Sequence, residues 1–343
     1  MTAIITHRNF NLADTPDLSG KVAVITGGHA GIGRVITTQL LLHGVSKVYI
    51  LARSKDKYEK SKAQWTRDHG LQKVDVEART DFVQCDLTSI KHVARVATEL
   101  VANLERLDVL INNAAMALTT DATLSPDGIE AVFATNHVGH FTLTNILLPL
   151  IERTAATHGE ARIVNTSSPL HMICQELNLA ELESPTQVKA SAALDSVWRY
   201  GRSKLANILF TRRLAKILQK KGVDHVYVNS YFPGNIPTDA WEAWKPVIGD
   251  VLGALPQGIF HWIGQCPAEG AATAIFLAAS NEVVSGDMKG KYFTPIAYEE
   301  KPSALAEDKD LANNLWYWSD HRITKVLGEG WAEAGNQTEA VEK

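Results

Sequence analysis

The sequence predicts a single α/β domain: a doubly wound parallel sheet with helices on both faces and an apolar lid inserted late in the chain. Three observations predict it. Short β-branched apolar runs alternate with stretches of helical spacing along the whole chain. The first run, residues 21–26, enters a glycine-rich turn, Gly27-Gly28-His29-Ala30-Gly31-Ile32-Gly33, and then a helical pattern through Val35, Ile36, Leu40 and Leu41. No repeat, low-complexity block or linker divides the 343 residues, and a hydrophobic content of 45% suffices for one large core.

Strand, glycine turn and helix in that order predict a dinucleotide site. Glycines allow the tight turn and leave backbone N–H groups at the helix start to face a pyrophosphate, so Gly27, Gly31, Ile32 and Gly33 are candidate cofactor residues. Lys47–Ala52 reads as the second strand and is followed by Arg53-Ser54-Lys55. An acidic residue near that point would hold the ribose hydroxyl of NAD. Here the neighbourhood is basic, and Arg53, with His29, Arg34, Lys55 or Lys57, suits the 2'-phosphate of NADP(H) in preference to NAD(H). The plain alternative is a solvated loop carrying ordinary cations.

A helix over residues 56–70 precedes a strand at 82–85, which ends at Asp86, either an acceptor for the adenine amino group or a cap for the helix at 88–103. A fourth strand, 107–111, delivers Asn112-Asn113-Ala114-Ala115 to the carboxyl edge where ligands of such sheets bind, which makes Asn113 a cofactor candidate. A long helix over 126–153 contains Asn136 beside Gly139, where a polar side chain interrupts the apolar face and holds a water or a bent turn. His137 and His140 lack a third ligand at metal-site spacing, so no metal is expected. The fifth strand, 162–166, ends in Ser167-Ser168-Pro169, and either hydroxyl could meet a substrate oxygen.

A partly ordered excursion leads to the helix from Ser196, which carries Tyr200 and Lys204 four residues apart and therefore on one face. That pair can handle a proton. Tyrosine has a reference pKa of about 10, and lowering it by roughly 3 units needs about 4 kcal/mol, against about 0.3 to 0.5 kcal/mol from an exposed helix pair. A dry pocket with a second positive charge is required. Beyond it come a strand at Val226–Tyr231, the turn Phe232-Pro233-Gly234-Asn235-Ile236-Pro237-Thr238, and a tryptophan-bearing section, 241–266, that reads as a lid or as a packed insertion. A helix at 267–280, a strand at 291–294 and a terminal helix with Trp316, Tyr317 and Trp318 close the domain. Residues 1–19 read as an N-terminal extension, 20–334 as the domain and 335–343 as a disordered tail.

The ordered set Gly27-x-x-x-Gly31-Ile32-Gly33, Asn113-Ala114-Ala115, Asn136, Ser168, Tyr200-x-x-x-Lys204 and Pro233-Gly234-x-Ile236-x-Thr238 resembles the short-chain dehydrogenase/reductase family, of Rossmann type, over about residues 20–294. Ser203-Lys204-Leu205-Ala206-Asn207 is similar to its retinol-dehydrogenase-like subgroup, which includes fungal metabolic reductases. Two departures stand out: Ala115 replaces the usual glycine, and Pro169 follows Ser168. The resemblance implies that Tyr200 is general acid and base, that Lys204 binds the nicotinamide ribose and lowers the Tyr200 pKa, that Ser168 orients the substrate, and that Asn136 holds a relay water. It also implies that Ile236 and Thr238 contact the nicotinamide carboxamide, and that the oxidised ring supplies the second charge.

The function expected is hydride transfer between NADP(H) and a ketone, aldehyde or alcohol on a moderately large apolar substrate such as a polyketide, terpenoid, retinoid or steroid-like metabolite. The alternatives are a catalytically silent NAD(P)-sensing protein and an extended-branch epimerase or dehydratase. The formal net charge of -4 and pI near 6.3 argue against nucleic acid as partner. Cys85, Cys174 and Cys266 read as separate reduced thiols, and residues 1–20 lack the apolar run of a leader or membrane anchor. A cytoplasmic protein of secondary metabolism is expected, with a homodimer through the two long helices unless terminal or lid segments block that surface.

Overall fold

The computed structural model describes residues 10–69, 71–184, 186–234 and 267–331. The strands β1 (Val22–Thr26), β2 (Lys47–Ala52), β3 (Thr80–Gln84), β4 (Val109–Asn112), β5 (Ala161–Thr166), β6 (Val226–Tyr231) and β7 (Tyr292–Thr294) pair in parallel. With β8 (Tyr298–Glu300) they form one sheet in the order β3-β2-β1-β4-β5-β6-β7-β8. β5 and β6 are buried on both faces, as β-branched runs without alternation require. The chain builds outward from β1 through β2 to β3 and then returns to lay β4 on the other side of β1. That reversal opens a crevice beyond the carboxyl ends of β1 and β4.

β8 departs from the all-parallel expectation, because it pairs antiparallel with β7. Only residues 295–297 separate the two strands, too few for the crossover that a parallel return needs.

The helices are α1 (Gly31–Leu42), α2 (Lys55–His69), α3 (Lys73–Arg79), α4 (Ile90–Asn103), α5 (Ala131–Phe133), α6 (Gly139–His158), α7 (Ala192–Lys220), α8 (Pro267–Ala279), α9 (Asn281–Ser285) and α10 (Lys309–Leu327). They cover both faces. Ile36, Leu40, Ile275 and Phe276 from α1 and α8 pack on one side of the sheet, and Val93, Phe141, Leu147, Leu209 and Leu214 from α4, α6 and α7 on the other. The N-terminal extension is folded onto the domain from its tenth residue, since Phe10 meets Phe276 edge-on at 5.4 Å and Leu18 is buried.

Two helix boundaries differ from expectation for local reasons. The helix expected from residue 126 begins at Ala131, because Gly128 takes a left-handed φ of 73° in a turn and the Glu130 carboxylate accepts the Val132 and Phe133 N–H groups at 3.0 Å each. α7 starts before Ser196, at Ala192, where the Ser191 hydroxyl caps the Leu194 N–H at 3.2 Å. α3 was not expected at all. The excursion from 169 to 191 contains two 3-10 turns, Pro169–Ile173 and Leu179–Glu183.

α10 lies across α6 and α7. Trp316 contacts Phe141 at 4.8 Å and Phe210 at 5.9 Å, and Trp318 contacts Phe133 at 5.8 Å between ring centroids. The terminal helix therefore packs on the start of α6 and on α7, the helices expected to serve a homodimer. Among the described residues no helix is long and apolar enough to cross a membrane.

Candidate active site

The crevice at the β1–β4 reversal is a cleft of about 420 Å³, and its lining includes Gly27, His29, Gly31, Ile32, Gly33, Arg53, Asp86 and Asn113. Every cofactor residue expected from the glycine turn through Asn113 thus meets in one place. Gly27 sits at a φ of 67°, which favours glycine, and donates its N–H to the Leu51 carbonyl at 2.8 Å. Gly33 has no room for a side chain, because a β carbon there would collide with the Gly27 carbonyl and lie 2.5 Å from the Asn113 amide nitrogen.

The basic candidates separate. His29, Arg53 and Lys57 line the cleft, while Arg34 pairs with Gln64 and Lys55 lies outside the lining. Asp86 does not cap α4; Ser89 does, and Asp86 instead accepts the Thr88 N–H and hydroxyl at 3.0 and 2.9 Å. A nicotinamide dinucleotide suits this donor set. Among the described residues α1 begins at Gly31 with no side-chain cap on its first N–H groups, and His29 Nδ1 is buried without a hydrogen-bond partner.

Thr26, at the end of β1, ties the floor of this cleft to the second cluster. Its hydroxyl accepts the Asn113 and Ala114 N–H groups at 3.0 and 2.9 Å and meets His140 Nε2 at 2.8 Å. His140 Nδ1 faces the Asn136 carbonyl at 3.0 Å, so the ring proton sits on Nδ1 and Nε2 accepts from Thr26. Burial holds His140 down to about 4 and His137 to about 3, so both rings are neutral. His137 Nε2 contacts the Ser319 hydroxyl at 3.1 Å, a core arrangement.

Asn136 sits in a π-helical turn, Ala134–Val138, and is fully buried. Of the two sequence readings for this position, a bent turn is present. The Asn136 side chain accepts the Met116 N–H at 2.7 Å and donates to the Met116 carbonyl at 3.2 Å and the Ser203 hydroxyl at 3.0 Å. Met116 also lines the cofactor cleft, and Ser203 belongs to α7. Asn136 therefore joins the cleft to the helix of the tyrosine.

On α7, Lys204 Nζ lies 5.4 Å from the Tyr200 ring centroid and donates to the Thr166 carbonyl at 3.1 Å. Both residues are buried. Burial raises the Tyr200 phenol above its usual range and lowers the Lys204 ammonium to about 7. Among the described residues the expected lowering of Tyr200 by Lys204 is not seen, because desolvation penalises both charged forms. This sharpens the requirement for a second positive charge.

The same shift has a stability consequence. Lys204 titrates near 10.5 when unfolded and near 7 when folded, so burying it costs stability fully below pH 7, and that cost fades as pH rises toward the unfolded value. Lys204→Met is expected to unfold at a higher temperature than the parent at pH 6, with the gap closing toward pH 9, in calorimetric scans.

The two serines are distinguished by their bonds. Ser167 donates its hydroxyl to the Lys204 carbonyl at 2.8 Å, whereas Ser168 Oγ accepts the Leu170 N–H at 3.2 Å and keeps its own proton to donate. The Ser168 carbonyl meets His171 Nδ1 at 2.7 Å, and His171 Nε2 accepts the Ser303 N–H at 3.1 Å. Around Tyr200 pack Leu118, Val132, Leu170, Ala193 and Val197, an apolar wall bordered by Met116 and Ile173. Ile236, Thr238 and the 241–266 section lie outside the described residues.

The sequence left unread a buried charge cluster beside Tyr200. Arg199, Arg202, Glu130 and Asp195 are all at most 2% exposed and form ion pairs. The four-residue spacing of Asp195 and Arg199 was its one legible signal.

A family model described as short chain dehydrogenase matches residues 21–175. A short chain dehydrogenase/reductase of Colletotrichum higginsianum is 34% identical over 318 residues, covering 90% of this chain and 76% of that protein. The chain belongs to the short-chain dehydrogenase/reductase family. Retinol dehydrogenase 14 of Mus musculus is also 34% identical, over 87% of this chain and 84% of its own. Among solved structures, a Pseudomonas aeruginosa RhlG/NADP active-site complex matches with a TM-score of 0.57 and 27% identity, over 81% of this chain and 95% of that one. This short-chain dehydrogenase/reductase accordingly shares its fold with that complex.

Proposed function

We propose that the protein is an NADP(H)-dependent oxidoreductase that interconverts a carbonyl and an alcohol on a moderately large apolar substrate. The observation that carries it is the Asn136 junction, which links the dinucleotide cleft through Met116 to the Tyr200 helix through Ser203. The NADP bound to the RhlG neighbour and the basic lining at Arg53 and Lys57 support the phosphorylated cofactor.

In this reading the glycine turn and Asn113 seat the dinucleotide, Asp86 faces the adenine, and Ile236 and Thr238 meet the carboxamide. Bound nicotinamide supplies the hydride and, when oxidised, the second positive charge. Tyr200 gives its phenolic proton to the carbonyl oxygen in reduction and recovers it in oxidation. Lys204 holds the nicotinamide ribose and favours phenolate, Ser168 donates to the substrate oxygen, and Asn136 orders the water that replenishes the proton. The apolar wall around Tyr200 favours a polyketide, terpenoid, retinoid or steroid-like skeleton. Residence in the cytoplasm and a role in secondary metabolism complete the proposal. A homodimer is part of the proposal, with α10 packed on the start of α6 and on α7.

The test is loss of nicotinamide absorbance when NADPH is mixed with a panel of apolar ketones and aldehydes. Saturable consumption supports the proposal; tight NADPH binding without consumption of any member favours the silent cofactor sensor. Arg53→Ala is expected to weaken NADPH binding by about 10-fold while leaving NADH unchanged, measured by nicotinamide fluorescence. Equal loss for both cofactors would remove Arg53 from the phosphate site.

A further inference from the structure

Arg199 immediately precedes Tyr200 on α7, yet its guanidinium is directed into a buried ionic cluster. Its Nε donates to Asp195 Oδ2 at 2.8 Å and its Nη1 to Glu130 Oε1 at 3.2 Å. The remaining donors reach backbone: Nη1 to the Asp121 carbonyl at 3.4 Å and Nη2 to the Thr119 carbonyl. Arg202 approaches the other Glu130 oxygen at 3.7 Å and Glu181 at 3.5 Å.

Each of these bonds ends on a segment that carries part of the site. The 116–121 stretch starts at Met116, whose backbone grips the Asn136 amide. Glu130 caps the helical turn that runs into Asn136, and its own N–H donates to the Leu182 carbonyl at 2.7 Å. Asp195 accepts the Val188 and Lys189 N–H groups at 2.8 and 3.1 Å, fastening the excursion that follows Ser168 to the first turn of α7. Three chain segments and the tyrosine helix thus converge on one pair of arginines.

Stability alone does not explain such a cluster. Buried ion pairs recover their desolvation cost poorly, and packed apolar residues in their place are often neutral or stabilising. What charges add is direction, since a guanidinium fork donates to its partners in one plane and at fixed angles.

We propose that the Glu130–Arg199–Asp195–Arg202 cluster is a positioning frame that sets the Tyr200 phenol against Asn136 and Ser168. Arg199 is its centre. It acts through Tyr200, and its role rests on the proton-transfer reading of that residue.

The test compares Arg199→Met and Arg199→Lys with the parent, using phenanthrenequinone, a flat apolar diketone, as probe carbonyl. Misplacement of a reacting group by about 1 Å costs about 100-fold in rate, so Arg199→Met is expected to lose about 100-fold in kcat with KM and NADPH affinity unchanged. Arg199→Lys, which keeps the charge but not the fork, is expected to regain part of that loss. Independently of any substrate, carbon-13 at the tyrosine ζ carbon reports the Tyr200 phenol in the NADP-bound protein, assigned with Tyr200→Phe. Its resonance and titration are expected to shift in Arg199→Met and move back toward the parent in Arg199→Lys.

Parental kcat and a parental Tyr200 resonance in Arg199→Met would overturn the proposal. Should that variant not fold, the combined Glu130→Leu, Asp195→Leu, Arg199→Met, Arg202→Met protein serves, and its retention of full kcat or of the parental resonance would equally overturn it. If the parent reduces no probe, the substrate reading fails, and the Tyr200 resonance alone decides the frame.

Discussion

Tyr200→Phe is expected to lower turnover by about 100-fold to 10,000-fold, the range that one positioned proton donor contributes. NADPH binding should be nearly unchanged. The two effects separate because the phenol lies outside the glycine cleft lining and is buried on α7 in an apolar wall, where phenylalanine fits the same space. Loss of the hydroxyl removes the proton source and leaves the packing of Leu118, Val132, Leu170 and Val197 intact. Steady-state rates with the carbonyl panel, alongside fluorescence titration of NADPH, measure both. Unchanged turnover would sink the mechanism, and a parallel loss of NADPH affinity would mean that Tyr200 acts by holding the cofactor.

Gly33→Ala is expected to remove cofactor binding, by about 100-fold or more. The added methyl group would drive into the Gly27 carbonyl and sit 2.5 Å from the Asn113 amide nitrogen. Gly27 is committed through its N–H to Leu51, and the Asn113 amide donates to the Thr26 carbonyl at 2.9 Å. Neither wall can move aside without opening the floor of the cleft. Gly28→Ala is the contrast. Its β carbon would meet Ile25 Cγ2 at 2.5 Å and the Thr37 hydroxyl at 2.8 Å, inside the packing of β1 on α1. It should therefore lower the unfolding temperature more than it lowers affinity. NADPH-induced stabilisation in thermal scans distinguishes the two, because a ligand raises stability only in proportion to its binding. Undiminished NADPH stabilisation of Gly33→Ala would place the dinucleotide elsewhere.

Much of the fold was legible because its signals are local. The segment 226–231 became a strand with the predicted bounds and is buried at every position. The glycine turn was legible because its spacing is local, although the lack of space at Gly33 also depends on the distant Asn113 amide. The reversal to an antiparallel β8 was not legible, as Tyr298–Glu300 is short and lacks an apolar pattern of its own. α3 was missed because Lys73–Arg79 is short and largely exposed.

At the candidate site, spacing alone placed two titratable groups on one helix face. Tyr200 and Lys204 lie together because helical geometry places residues four apart on one face. The sequence also determined a basic cofactor neighbourhood, without separating Arg53 and Lys57, which line the cleft, from Arg34, which pairs with Gln64. The rest came from packing between distant segments. It bonded the Ser167 hydroxyl to the Lys204 carbonyl and the Leu170 N–H to Ser168 Oγ, joined Asn136 to Met116 and Ser203, and buried Arg199 among carboxylates. It also buried Tyr200, and desolvation, which depends on everything packed around a group and leaves no trace in spacing, raises its phenol.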